Sequence, residues 1–131
     1  MSDRDQRGLP VGYRFHPEWE ITPREVAALR AAARPPLLVD VRTDAELAIV
    51  RIEGARHVPL HTIERGAEDL LAEWAEWEER GGGPVVTVCH HGMRSMRAAA
   101  VLRAAGLADT RSMAGGIHLW ALDIEPGLPT Y

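Results

Sequence analysis

The sequence predicts an α/β fold in which a parallel sheet lies buried between helices on both faces. Three observations lead there. Leu37–Val41 and Val85–Val88 are short, nearly continuous apolar runs, the pattern of strands covered on both sides. Segments with the 3.6-residue helical period lie between and after them. The order strand, helix, strand, helix argues for parallel pairing with crossover helices. The 131 residues fit one domain, which at this size can bury a core without disulfide or metal staples.

The elements follow in chain order. Residues 1–12 are polar, contain Gly and Pro and show no period, so they read as a loose arm. Tyr13, Phe15 and Trp19 alternate and could pin that arm, or a short strand, to the body. The boundary between arm and domain is set at 20/21. Thr22, Pro23 and Glu25 form an N-cap, a first-turn proline and the third position of a capping box. That helix carries Val26, Leu29 and Ala33 and stops at Pro35-Pro36. Leu37–Val41 is the first buried strand, and a short helix covers Asp44–Ile49. Gly54–Val58 is a turn into another strand. A longer amphipathic helix follows, with Ile63, Ala67, Leu70, Leu71, Trp74 and Trp77 on one stripe. Glu68, Glu73, Glu76 and Glu79 form its solvated face. Gly81-Gly82-Gly83 stops it. Val85–Val88 is the next strand, Cys89–Arg94 a loop, and Ser95–Ala105 a helix closed by Gly106. Thr110–Met113 is a last strand, and Gly115-Gly116 opens a short helix through Trp120. The tail from Glu125 is irregular.

Composition narrows the chemistry. All fifteen cationic side chains are Arg, which excludes lysine Schiff-base and lysine-nucleophile mechanisms. The net charge of −4, with both signs interspersed, gives no basic patch for nucleic acid. No apolar run approaches the ~20 residues of a membrane span, and the N-terminus has no signal-type apolar core. A single Cys allows no internal disulfide. A cytoplasmic protein with a reduced thiol is expected, with no cofactor.

Cys89-His90-His91-Gly92-Met93-Arg94-Ser95 carries the chemistry. A thiol ends a buried strand, beyond whose carboxyl end ligands sit in open α/β sheets. A short turn then enters a helix N-terminus, where free N–H groups and the helix dipole stabilise an anion. Such surroundings lower a thiol from about 8.5 to ~3.5–7.5, and the thiolate is the nucleophile. Gly92 permits a backbone conformation closed to other residues. Arg94 adds a permanent charge and a planar fork suited to a pair of thiosulfonate oxygens. The expected reaction is attack of Cys89 on the outer sulfur of a donor such as thiosulfate, release of sulfite, and transfer of the held sulfur to a thiol or cyanide. This requires a reachable thiol with the amides of the turn aimed at it. A lone Cys after an apolar strand can also be an inert core residue. Gly92, Arg94 and the strand–loop–helix setting favour the reactive one. His90 and His91 shape the loop and tune its polarity; adjacent residues do not complete a zinc site without further ligands at helical or hairpin spacing, so no metal is expected.

This loop resembles the active-site loop of the rhodanese homology domain, Cys-x-x-Gly-x-Arg-Ser. Leu38-Val39-Asp40-Val41-Arg42 with Glu46, Ile52-Glu53-Gly54-Ala55 with Val58-Pro59-Leu60, and Met113-Ala114-Gly115-Gly116-Ile117 with Trp120 resemble the family's other signatures in order. The likeness runs from about Ile21 to Tyr131. It implies a five-stranded parallel sheet, a rhodanese-like domain over 21–131, and Cys89 as persulfide carrier. It implies a cradle of backbone N–H groups from His90, His91, Gly92, Met93, Arg94 and Ser95, with Arg94 also binding the donor. Asp40 and Arg42 would form a supporting ion pair beneath the loop, Gly115-Gly116 a tight turn near it, and Trp120 part of the core. The partners implied are a small sulfur donor and a thiol acceptor, including a sulfur-relay protein. Arg51 departs from the family, which often has His there, and the arm over 1–20 has no counterpart.

Two other classes fit parts of the pattern. Phosphatases and arsenate reductases of this fold also use a Cys-to-Arg anion loop, with one more residue than the four that separate Cys89 from Arg94 here. A non-catalytic or redox-sensing interaction module is the other, and the retained Cys89 argues against loss of chemistry.

Overall fold

A computed structural model describes residues 3–131; the first two residues of the predicted arm lie outside it. The strands are β1 (Glu20–Ile21), β2 (Leu37–Asp40), β3 (Arg56–His57), β4 (Val85–Val88) and β5 (Arg111–Met113). They form one five-stranded parallel sheet in the order β1-β5-β4-β2-β3. The helices are α1 (Pro23–Ala31), α2 (Asp44–Ile49), α3 (Ile63–Glu79), α4 (Met93–Ala104) and α5 (Gly116–Asp123), with a 3-10 turn at Leu60–Thr62 before α3.

The strand pattern dictates the layers. Leu37, Val39 and Val41 point to one face and join Ile63, Ala67 and Leu70 of α3 and Ala98 and Leu102 of α4. Leu38, Val86 and Val88 point to the other and join Val26 of α1 and Ile117 and Trp120 of α5. Both faces are therefore apolar along β2 and β4, as their continuous runs require. Thr22 caps α1 in a full capping box with Glu25, as its spacing predicts. Thr43 and Glu46 repeat the device at α2. The acidic face of α3 is solvated at Glu68, Glu76 and Glu79, while Glu73 is half-buried and pairs with Arg56.

Two expectations are corrected. The arm is not loose over its described part. Asp5 ties a tight turn by accepting from the N–H groups of Arg7 and Leu9, and Leu9 is fully buried against Ala114 and Leu119. Arg24 of α1 grips Asp123 of α5 with two hydrogen bonds and the Gln6 carbonyl with a third. One apolar anchor and a knot of turn hydrogen bonds leave no periodicity to read, so the pattern looked like coil. The second correction is the start of α4, at Met93 and not Ser95. Gly92, with φ of 113°, stands at its N-cap, a left-handed position open chiefly to glycine. Met93 and Arg94 therefore lie in the first helical turn.

Candidate active site

The carboxyl ends of β2 and β4 lie side by side, with Asp40 in register with Val88. Cys89 follows at once. Its Sγ accepts the Gly92 N–H at 3.1 Å and donates to Ser95 Oγ at 3.3 Å. Ser95 Oγ bonds the Gly92 carbonyl at 3.1 Å and Ser112 Oγ of β5 at 2.6 Å. The sulfur thus ends a hydroxyl chain across two strands.

The expected cradle of amides is met at one place around the unloaded sulfur. Of the amides from His90 to Ser95, Gly92 supplies the hydrogen bond to the sulfur, and Ser95 contributes its hydroxyl. Cys89 is also 1% exposed, so the mouth is closed. Met93 reaches away from the site and is 83% exposed.

Arg94, expected to bind the donor, has a partner of its own. Both ends of its fork bind Glu46 of α2, Nη1 to Oε1 at 2.5 Å and Nη2 to Oε2 at 2.8 Å. In this arrangement Arg94 straps the reactive loop to α2. Nothing in the sequence spacing marked Glu46 as Arg94's partner. The Arg94 bond holds the Glu46 carboxyl well below the usual carboxylate range; burial opposes this, and the Tyr131 hydroxyl, 2.6 Å from Oε2, reinforces it. Because the folded value is depressed, the strap's contribution is complete above the unfolded value of ~4.3 and is lost as pH falls through the lower native value. Arg94→Ala is expected to lower stability by about 1 kcal/mol at pH 7, allowing for solvent screening of a partly exposed pair. Thermal melts should show that difference shrinking below about pH 4, where Glu46 of the unfolded chain takes up a proton that the native strap still excludes.

Asp40 and Arg42 sit beneath the loop as a buried ion pair, Nε to Oδ1 at 2.9 Å and Nη2 to Oδ2 at 2.7 Å. Arg42 also donates to the Val50 carbonyl at 2.7 Å and the Tyr131 hydroxyl at 3.1 Å. From the other side, Tyr13 of the arm donates to Glu20 Oε2 at 2.5 Å and accepts the Gly115 N–H at 3.3 Å. Burial, then the bond to Glu20, pushes the Tyr13 hydroxyl well above its ordinary range. Tyr13, Glu20, Tyr131 and Ser112 were not read as site residues. Each reaches the loop through tertiary contact, and only the aromatic alternation at Tyr13 signalled that the arm was pinned.

The turn at Gly115-Gly116 closes the site from α5. The Ile117 N–H donates to the Cys89 carbonyl at 2.8 Å and the His118 N–H to the His90 carbonyl at 3.1 Å. Gly116 has φ of 62°, and a Cβ there would fall onto the carbonyl groups of Cys89 and His90. Gly116→Ala therefore meets a backbone collision and a disfavoured dihedral together. A loss above about 2 kcal/mol in a denaturant melt is expected, with displacement of the reactive loop.

Residues 22–123 match the model of the rhodanese-like domain. Among curated relatives, the chain is 39% identical over 103 residues to the thiosulfate sulfurtransferase GlpE of Pseudomonas fluorescens, covering 76% of this chain and 82% of that one. It is 36% identical over 112 residues to the adenylyltransferase and sulfurtransferase MOCS3-2 of Zea mays, covering 85% of this chain but 23% of the relative. The chain thus spans about a quarter of the length of the first such relatives. The human single-domain sulfurtransferase TSTD1 superposes with a TM-score of 0.64 at 26% identity, covering 79% of this chain and 96% of that one.

Proposed function

The chain belongs to the rhodanese-like domain family, and from that premise we propose that it is a sulfurtransferase carrying sulfane sulfur as a persulfide on Cys89. The observation that carries this reading is the seat of Cys89, at the end of a central strand with a helix-start amide 3.1 Å from its sulfur. The thiolate attacks the outer sulfur of thiosulfate, the S–S bond of the donor breaks, and sulfite leaves with the electron pair. Cys89 then holds the sulfur as a persulfide anion, which an acceptor thiolate or cyanide takes, restoring the thiolate. Charge balances at each step. The names of the GlpE and TSTD1 relatives support this reaction class. Those of the adenylyltransferase and sulfurtransferase MOCS3-2 and of the probable adenylyltransferase/sulfurtransferase MoeZ of Mycobacterium tuberculosis also support sulfur transfer. A reduced, cytoplasmic setting suits a carrier that must regain its thiol.

Cys89 is covered in this structure, so the reading requires the side chains over it to move aside for the donor. Arg94 acts here as a strap holding the loop in register, and Asp40 and Arg42 as the strut beneath it. Intact mass after incubation with thiosulfate or inorganic polysulfide is the test. A gain of one sulfur, removed by cyanide, is expected. No gain from either donor would sink the carrier role and favour the interaction module, which the covered thiol also fits. Turnover of an aryl phosphate without any on thiosulfate would point to the phosphatase class.

A further inference from the structure

Three imidazoles meet beside the reactive loop. His90 and His91 follow Cys89 directly, and His118 comes from the first turns of α5, its own N–H fixed to the His90 carbonyl. The ring centroids of His90 and His91 are 3.9 Å apart, those of His91 and His118 5.0 Å, and those of His90 and His118 5.8 Å. Two ring nitrogens, His90 Nε2 and His118 Nδ1, are enclosed and have no hydrogen-bond partner in the protein. A buried polar nitrogen without a partner costs about 1–3 kcal/mol. Two in one cluster, next to a nucleophile, mark a place built for a polar visitor. The usual candidate for that visitor's grip, the Arg94 fork, is already taken by Glu46.

We propose that His90, His91 and His118 form the subsite for the oxygen-bearing, anionic end of the sulfur donor, with His118 the residue that joins α5 to donor recognition. The proposal rests on the carrier reading and deepens it. Thiosulfate is a dianion whose attacked sulfur and acceptor oxygens are two bonds apart, across the central sulfur, so a donor delivering sulfur to Cys89 must set its oxygens among the neighbouring side chains. Imidazole N–H groups are suitable donors to such oxygens. The electrostatic setting agrees. Burial, then the charges of His90, His118 and Arg94, lowers the His91 imidazole below its ordinary range, and an anion seated among the rings would oppose that shift. The other charged and titratable groups facing it are Glu46 of α2, Arg42 beyond β2, and Tyr131. Tyr131 stacks on His90 with centroids 3.9 Å apart and planes 10° off parallel, held at its hydroxyl by Arg42 and Glu46.

The test uses the full chain with Cys89→Ser, which binds donor but cannot take its sulfur, titrated calorimetrically with thiosulfate and, separately, sulfite. Adding His118→Leu is expected to weaken both about tenfold, and His90→Leu by a similar factor. His118→Asn, which keeps an N–H donor near the Nδ1 position, should restore most of the affinity. Unchanged affinity in both Leu variants would overturn the proposal. So would equal weakening by His118→Asn and His118→Leu, which would mean that the ring only packs. Absence of any thiosulfate binding to the Cys89→Ser protein would overturn it too. Sulfur loading of the native protein from polysulfide, which has no oxygens, keeps the two readings apart. Loading from polysulfide with no histidine dependence of thiosulfate binding removes the subsite and leaves the carrier. No loading from any donor removes the carrier itself.

Discussion

Arg42→Ala is expected to lower the unfolding free energy by about 3–5 kcal/mol, the cost of stranding one half of a buried ion pair. The Arg42 side chain is completely buried, and so, within 2%, is that of Asp40. The guanidinium spends its donors on both Asp40 oxygens, the Val50 carbonyl and the Tyr131 hydroxyl. Its removal leaves the carboxylate enclosed with the Arg42 backbone N–H as its remaining bond from this residue. It also frees the segment after α2 at Val50. For a domain of this length the loss corresponds to a fall in Tm on the order of 10–15 °C. Arg42→Lys should recover little, because an ammonium cannot span two carboxylate oxygens and a carbonyl in one plane. Replacing both partners, as in Asp40→Leu with Arg42→Met, should be milder than Arg42→Ala alone, since no unpaired charge remains. Denaturant melts of the three variants decide the matter. A loss under about 1 kcal/mol for Arg42→Ala would mean that the pair carries no more than a surface contact does.

Local signals and tertiary signals divided cleanly in what the chain disclosed beforehand. The capping box at Thr22, the proline stop at Pro35-Pro36 and the stripe of α3 act within a few residues, and α1 and α3 lie where those signals put them. β2 and β4 were legible because strands covered on both sides must be apolar throughout. β1 is two residues long and gains its identity by pairing with β5, so no period could announce it. The site divided in the same way. Cys89, Gly92 and Ser95 are close in sequence, and the turn that joins them was readable. Glu46, Tyr13, His118 and Tyr131 reach the same loop from α2, the arm, α5 and the tail. Their meeting depends on the order in which the sheet lays its strands. Arg94 shows the same division: its fork is legible locally, but its bond to Glu46 comes from the fold.

Cys89→Ser is expected to abolish sulfur uptake and to lower thiosulfate-to-cyanide transfer at least about a thousandfold, the scale on which removal of a covalent nucleophile acts. A serine oxygen is smaller and far less polarisable than sulfur, and at neutral pH it remains protonated beside Ser95. It offers nothing that can displace sulfite from a sulfur centre. The same substitution should leave the fold in place. The hydroxyl can accept from Gly92 N–H and donate to Ser95 Oγ as the thiol does, so the hydroxyl chain to Ser112 stays continuous. A change in stability within about 1 kcal/mol is expected for a swap of this kind in a hydrogen-bonded seat. The pairing of a large functional loss with a small structural one separates chemistry from packing. Had Cys89 been only a core residue beside Val39 and Leu102, its loss would register in the melt and not in the mass spectrum. Sulfur retained on the Cys89→Ser protein after thiosulfate treatment would show that the atom is bound without a persulfide. Transfer surviving at more than about a tenth of the native rate would remove the covalent step from the reaction.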